Sequence, residues 1–445
     1  MNEQTVHTEI PYEKSVKHYD TSKMPKHQLW FFTLLIYILS KILMTGRKYK
    51  IEKINMDGIK PPYILLSNHM YFVDFYLNSI ATFPHKVYNI ASVDGYYRRP
   101  FLMELIGCMC KRKFTTDPSL IRSVEDVLRK KKGIMCMYPE ARYTPVGTTA
   151  VLPDSLGMLV KKMKAPVVIM LHHGNHLYTP FWNFRNPRKN VPHHTTVKCI
   201  LTPSDIEKMS MYEIQDLITS EMQYNEYKWQ KENGIEISDA HRAEGLHKIL
   251  YQCPHCNTEH KMKSQGTLLS CDFCGKSWEL KTNGELEAVC GQTEFSHIPD
   301  WYEWERKNVR KEIDEGNYSF SDNVEVYSLP TCMRFKKVGK AKLTHSYDGF
   351  TVEGEYRGKK YRINRPVSGM YSAHVEYDYC YIRPEDCIDI STHNDSLYCY
   401  PEKNDVITKL CLATEELYRR ENESRALRRR AAAAKKATAH ESSST

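Results

Sequence analysis

The stretch YILLSNHMYFVD, residues 63–74, decides how this chain is read. Its first five residues form a short apolar run of strand length, and a polar Asn68-His69 pair interrupts the run before a second patterned segment begins. Comparable runs recur at 86–92 (KVYNIAS), 134–138 (IMCMY) and 166–171 (PVVIML). Helical patterns lie between them. Asp117-Pro118 supplies an N-cap and a proline at the first helical position, where its missing N–H does no harm. Leu120, Ile121, Val124, Val127 and Leu128 then follow at helical spacing, and Gly133 closes the segment. Residues 209–232 read as one long helix ending near Gly234. Strand and helix alternate in this way from 46 to 245, which predicts an α/β domain built on a mostly parallel sheet flanked by helices.

Within that frame Asn68, His69 and Asp74 stand where the strand at 63–67 gives way to a helix. Open α/β sheets place their sites at this carboxyl edge. A carboxylate five residues after a histidine, about one and a half helical turns, can accept from the imidazole N–H and fix its tautomer. The other ring nitrogen is then free to take a proton from an alcohol. With 19 histidines in the chain, about one such H-x4-D pair is expected by chance, so a histidine and an aspartate satisfied separately is the plain alternative.

Three further blocks follow in order: 107–113 (GCMCKRK), 138–142 (Tyr138-Pro139-Glu140-Ala141-Arg142) and 165–168 (Ala165-Pro166-Val167-Val168). Together with Asn68-His69-x4-Asp74 they resemble the glycerolipid acyltransferases, the group of the lysophosphatidic acid and glycerol-3-phosphate acyltransferases, over residues 60–200. The resemblance implies transfer of an acyl group from acyl-CoA or acyl carrier protein to a hydroxyl of a lysophospholipid such as lysophosphatidic acid, in phospholipid synthesis or remodelling. His69 would deprotonate the acceptor, Asp74 would orient it, and the alkoxide would attack the thioester without an acyl-enzyme. Asn68 belongs to the same motif and is assigned to substrate. Arg112 would meet the acceptor phosphate, with Lys113 as its rival, and Glu140 would hold the acceptor glycerol. Arg142 is carried over as a further substrate group, although only Ala141 separates it from Glu140 where the family has Gly and Thr. Pro166 belongs to a block that shapes the pocket. Arg and Lys are also the residues that phosphate recognition needs on chemical grounds.

Outside this region lie two CxxC pairs, Cys253-Pro-His-Cys256 and Cys271-Asp-Phe-Cys274, 14 residues apart. Four thiolates at this spacing suit a tetrahedral Zn²⁺ in a small ribbon, with iron or a redox disulfide as alternatives, and a closed shell of four makes the role structural. Gly275 follows where the knuckle needs positive φ. His172, His173 and His176 read as ordinary residues at a strand end.

The most apolar run, residues 29–44 (LWFFTLLIYILSKILM), is too short to span a bilayer comfortably and starts too late for a secretory signal. It reads as a monotopic anchor, with a buried core helix as the alternative. From 323 to 401 the texture changes to alternating Tyr, Val and Ile with turn signals, then an amphipathic helix at 406–420, as in a pleckstrin-homology-like unit or many other small β domains. The expected organisation is an N-terminal segment 1–45, an acyltransferase domain 46–245, a zinc ribbon 246–285, a helical linker 286–322, a mainly β domain 323–420 and a basic tail 421–445.

Composition sets the outer limits. The chain has 445 residues, 63 basic and 54 acidic, for a formal charge of +9. Its length predicts two to four domains, and its mean hydropathy of −0.56 excludes a polytopic membrane protein. Fourteen cysteines are sparse for a disulfide scaffold of this size and fit a reducing compartment. The surplus base falls beside the apolar run, in the 107–113 block and in the tail, a distribution that suits an anionic lipid surface better than a nucleic-acid groove. The predicted protein is therefore a membrane-associated enzyme at the cytoplasmic face. The alternative is a zinc-ribbon lipid- or nucleic-acid-binding protein whose acyltransferase-like domain is inactive.

Overall fold

The computed structural model describes residues 10, 16–115, 117–183 and 186–442, with side chains as far as residue 425. The cationic side chains expected in the tail, Arg428 to Arg430 and Lys435 and Lys436, lie outside the described residues.

The first domain opens with helix α1 (Trp30–Leu43) and continues β1 (Tyr49–Ile54), β2 (Tyr63–Ser67), α2 (Val73–Thr82), β3 (Val87–Ser92), α3 (Pro100–Leu105), β4 (Met109–Lys111), α4 (Pro118–Asp126), β5 (Ile134–Met137), α5 (Leu156–Met163), β6 (Val167–His173), α6 (Asn175–Tyr178) and β7 (His193–Leu201). The sheet order is β1-β7-β6-β2-β5-β3-β4. From β6 through β2, β5 and β3 to β4 every pairing is parallel, while β7 runs antiparallel to β6 and carries β1 parallel to itself. The sheet is thus mixed but rich in parallel pairs. Central β2 is buried along its whole length, because helices cover both faces, which is why it reads as an unbroken apolar run. Ile64, Leu65 and Leu66 are fully buried, and each contributes about 1.5–3 kcal/mol of burial. As the sequence predicts, Asp117 caps α4, its carboxylate accepting from the Ser119 N–H at 2.8 Å.

The long helix expected at 209–232 is two helices, α8 (Met211–Glu221) and α9 (Glu226–Glu232), which follow the short α7 (Pro203–Lys208). Asn225 breaks it: its side chain accepts from the Lys228 N–H at 2.9 Å and caps a new helix. The break matters to the site, because it turns Tyr224 and Glu226 inward.

Helix α1 is inverted relative to a core helix. Its buried residues are Thr33 and Ser40, whereas Trp30, Phe31, Ile38, Leu39, Ile42 and Leu43 are exposed. The core-helix alternative therefore does not hold. Phe72, at the start of α2, and Phe101 and Leu102 on α3 are exposed as well. No helix among the described residues is long and apolar enough to cross a membrane.

The second part of the chain holds a four-stranded antiparallel sheet of β8 (Met262–Gln265), β9 (Leu268–Cys271), β10 (Ser277–Leu280) and β11 (Leu286–Ala288), then helix α10 (Ile298–Asp314). A seven-stranded antiparallel sheet follows, β12 (Phe320–Ser328), β13 (Lys336–Ser346), β14 (Gly349–Tyr356), β15 (Lys359–Arg365), β16 (His374–Glu376), β17 (Cys387–Ser391) and β18 (Ser396–Pro401), in the order β15-β14-β13-β12-β18-β17-β16. Helix α11 (Ile407–Ser442) comes last and extends well beyond the amphipathic stretch 406–420. These units are not beads on a string. Val93, Tyr96, Cys108 and Cys110 of the first domain share one apolar cluster with Leu329, Tyr379, Tyr398 and Tyr400 of the C-terminal sheet.

Candidate active site and cysteine cluster

Ser67 ends β2, and His69 stands just past the carboxyl edge of the sheet with Asp74 in the first turn of α2. The His69 Nδ1 lies 2.9 Å from Asp74 Oδ2. That oxygen also accepts from the backbone N–H of Met70 at 2.7 Å and of Tyr71 at 3.1 Å, and Oδ1 accepts from Asn175 Nδ2 at 2.6 Å. Asp74 is fully buried. Burial alone would raise its carboxyl, but the His69 bond and its other donors outweigh it and hold the group below the ordinary carboxylate range. An ionised Asp74 requires the proton on His69 Nδ1, so Nε2 carries the lone pair. Nε2 has no hydrogen-bond partner among the described residues, and the side chain is 24% exposed. The ring stacks on Tyr138 at 4.1 Å between centroids and meets Tyr143 at 4.4 Å, which fixes its plane.

A second set of buried polar groups supports the dyad. Asn175, which holds Asp74 Oδ1, is itself fixed by His193 Nδ1 at 2.6 Å from its Oδ1. His172 sits between Thr195 Oγ1 and Asn78 Oδ1, both at 2.9 Å, and burial pushes its imidazole down to about 4, so it stays neutral. Asn78 donates to the Tyr138 hydroxyl at 2.7 Å. His173 Nδ1 meets Glu226 at 2.9 Å. His172 and His173 are therefore hydrogen-bonding residues of the strand end, and His176 is buried beside Trp182 and Tyr227.

The remaining sequence-assigned residues fall in different places. Asn68 is fully buried, donating to the His172 carbonyl at 3.0 Å and accepting from the His172 N–H at 2.9 Å. It staples β2 to β6 instead of facing the opening. Glu140 is also fully buried and accepts from Ala150 N–H and Tyr224 O–H, both at 3.0 Å, and from the backbone N–H of His69. With the Thr144 N–H donating to the His69 carbonyl at 2.8 Å, the 138–144 loop grips the His69 backbone from both sides. Arg142 turns the other way: its guanidinium reaches Cys411 and, at 2.5 Å, Glu415 on α11, so it does not join the groups around His69. Lys113 lies between Asp94 at 3.2 Å and His374 at 2.7 Å, with Glu376 at 3.9 Å. Arg112 donates to Thr21 and to the His393 carbonyl, and its Nε and Nη2 are buried without a partner. All three cations thus look toward the C-terminal half of the chain. Sequence reasoning had no access to this, because His374, His393 and Glu415 lie more than two hundred residues away. Asn175 was within reach: it stands two residues past β6, at the same carboxyl edge that drew attention to His69.

No family model and no curated protein matches the sequence. Among solved structures, the crystal structure of the 1-acyl-sn-glycerophosphate (LPA) acyltransferase PlsC from Thermotoga maritima is a distant neighbour. It covers 42% of this chain and 79% of its own, at a TM-score of 0.30 and 15% identity. A likeness of this degree sets no family.

Burial raises Glu140 to about 7 against the bonds that it accepts. A carboxyl raised in the folded state makes the fold less stable as pH climbs from its unfolded value of 4.5 to about 7, because the unfolded chain gives up the proton first. The expected result is that Glu140→Gln gains stability relative to wild type between pH 4.5 and pH 7, by at most about 3 kcal/mol. Paired denaturation curves across that range check it, and parallel pH profiles would refute it.

The four cysteines of the CxxC pairs come together in the ribbon. Their sulfurs all lie within 4.8 Å of one another, with Cys253–Cys274 and Cys256–Cys271 both at 3.8 Å. A disulfide would need about 2.05 Å, whereas metal–sulfur bonds of about 2.3 Å in a tetrahedron give edges near 3.8 Å. The cluster could hold a metal ion. Both knuckles share one geometry: Asn257 N–H donates to the Cys253 carbonyl and Gly275 N–H to the Cys271 carbonyl, each at 2.8 Å, with positive φ at Asn257 and Gly275. Only the glycine was legible as such in the sequence, since asparagine also tolerates this region but does not announce it.

Proposed function

We propose that the protein is an O-acyltransferase that moves an acyl group from an acyl thioester, acyl-CoA or acyl carrier protein, to a hydroxyl of a lysophospholipid. The observation that carries this reading is the His69–Asp74 dyad, with Nδ1 held by a buried carboxylate and Nε2 unpartnered on a partly exposed ring. Nε2 takes the acceptor's hydroxyl proton as the oxygen forms its bond to the thioester carbonyl carbon. The tetrahedral intermediate then collapses, the C–S bond breaks, and the imidazolium returns the proton to the leaving thiolate. Asp74 stabilises the transient imidazolium and keeps its own charge, and no residue is acylated. Lysophosphatidic acid is the acceptor favoured by the motif order.

The exposed apolar face of α1, together with the exposed Phe72, Phe101 and Leu102, supports a membrane-associated enzyme at the cytoplasmic face that draws a lipid acceptor from the bilayer. Purified protein incubated with labelled acyl-CoA, and separately with acyl carrier protein thioester, against a panel of lysophospholipids tests the assignment. Product that needs His69 supports it, and a wild type that acylates no acceptor overturns it.

The metal of the cysteine cluster is zinc on this reading, held by Cys253, Cys256, Cys271 and Cys274. It fills a closed, structural shell that supplies folding energy and no chemistry to His69. Native mass spectrometry is expected to show one zinc per chain in wild type and none in Cys253→Ser. A variant that keeps its metal overturns the four-cysteine assignment.

A further inference from the structure

The two oxygens of Asp74 are held unequally. Oδ2 accepts from His69 Nδ1 and from the Met70 and Tyr71 N–H groups, whereas the donor that Oδ1 meets among the described residues is Asn175 Nδ2, at 2.6 Å. Asp74 and Asn175 are both fully buried, so this amide decides how the carboxylate is turned. An ionised carboxylate only accepts, so Nδ2 faces Asp74 and the amide oxygen faces away. His193 Nδ1 lies 2.6 Å from that oxygen and is therefore the ring nitrogen that carries the proton. Burial pushes the His193 imidazole down to about 4, which keeps it neutral. Every hydrogen bond in the run His193–Asn175–Asp74–His69 thus has one direction.

The backbone keeps these groups together. Asn175 opens α6 directly after Gly174, whose φ is +84°. A Cβ at Gly174 would fall 2.0 Å from the Pro192 carbonyl oxygen, so the turn that carries Asn175 is pressed against the residue before His193. A second run starts two residues further along the same buried face of β7. Thr195 Oγ1 lies 2.9 Å from His172 Nδ1, and His172 Nε2 lies 2.9 Å from Asn78 Oδ1. Asn78 Nδ2 then donates at 2.7 Å to the hydroxyl of Tyr138, whose ring stacks on His69. One strand thereby reaches the imidazole through its Nδ1 partner and through the ring on its face.

We infer that Asn175 is a positioning residue for the His69 base, clamping the Asp74 oxygen that His69 leaves free and itself clamped by His193 of β7. The clamp keeps Oδ2 turned to the Nδ1–H of His69, so that Nε2 keeps the lone pair. Its effect on rate rests on the acyl-transfer reading, whereas its effect on the His69 tautomer does not.

Steady-state rates with a labelled thioester and lysophosphatidic acid, taken from about pH 6 to about pH 9, test the clamp. Melting curves control for folding. Asn175→Leu keeps the volume and removes the donor. Its kcat is expected to fall by about 10- to 100-fold with little change in KM, and by the same factor at every pH. Asn175→Asp can donate to Asp74 only while its new carboxyl is protonated, so its rate relative to wild type is expected to fall as pH rises. A residue that served packing alone would give flat ratios in both variants. His193→Gln keeps an N–H for Asn175 and is expected to lose less than His193→Leu. Nitrogen NMR of histidine-labelled protein, with His69 identified by its loss in His69→Ala, reads the tautomer itself. The expected ring is protonated at Nδ1 in wild type and a mixture of tautomers in Asn175→Leu. Wild-type kcat in Asn175→Leu, a flat ratio in Asn175→Asp, His193→Gln no better than His193→Leu, or an unchanged His69 tautomer in Asn175→Leu would each overturn the assignment. If Asn175→Leu does not fold, Asn175→Asp and the two His193 variants decide. A wild type that transfers no acyl group removes the enzymatic reading, and mixed His69 tautomers in Asn175→Leu would then leave the clamp standing.

Discussion

Alanine at position 69 is expected to cut acyl transfer by about 10³-fold or more while leaving the fold intact. General-base assistance by a positioned imidazole contributes about 10²- to 10⁴-fold, and no neighbouring group can take over: Tyr138 and Tyr143 are partly buried phenols that desolvation holds well above their usual range, and His172 has both ring nitrogens engaged. The fold should tolerate the change because Asp74 keeps three N–H donors, from Met70, Tyr71 and Asn175. Asp74→Asn tests the other half of the dyad. Its amide must turn one N–H toward those donors or offer one to Nδ1, which favours the wrong imidazole tautomer, and the expected loss is about 10²- to 10⁴-fold. Steady-state rates with a labelled thioester check both variants, with melting curves as the control for folding. An alanine variant that retains a substantial share of wild-type turnover removes His69 as the base.

The largest loss of stability is expected from Glu415→Ala. Glu415 on α11 is fully enclosed and holds Arg142 at 2.5 Å, Arg306 of α10 at 2.6 Å and Ser372 at 2.6 Å. The two guanidiniums together with Ser372 keep the carboxylate below the ordinary range despite its burial. Removing it takes from Arg142 the carboxylate it is paired with and from Arg306 its nearest one, leaving Arg306 only Glu303 and Glu416, and the expected cost is about 3–5 kcal/mol. Activity should fall too, since Arg142 belongs to the 138–144 loop that grips the His69 backbone. The triple variant Arg142→Met, Arg306→Leu, Glu415→Leu separates the two effects. Replacing a complete buried ionic triad by apolar groups is often neutral or stabilising, so the triple variant should melt well above Glu415→Ala. Scanning calorimetry decides, and a single variant as stable as wild type would show that water reaches the triad.

Where the sequence was legible, the pattern was local. The strand at 63–67, the Asp117 cap and the two knuckles each depend on residues within a few positions of one another, and all appear as expected. The His69–Asp74 contact is equally local, five residues apart at a helix start. The break at Asn225 escaped notice because an apolar period ran through it, and tertiary demand from Glu140 on Tyr224 and His173 on Glu226 overrides helix propensity there. The fates of Lys113, Arg112 and Arg142 were illegible for a different reason. Their partners belong to another module, and side-chain type alone says that a cation wants an anion without saying which one.

The pairing of Arg142 with Glu415 also sets a timetable for synthesis. The two residues are 273 positions apart, so at 5–20 residues per second the ribosome needs about 14–55 s between them. During that interval the nascent first domain carries the loop around His69 with its guanidinium unmatched and the Cys108–Cys110 face uncovered. A fold whose His69 loop is locked by a late-translated helix stays unfinished for more than half of its own elongation, and chaperones that shelter nascent chains have that window in which to act.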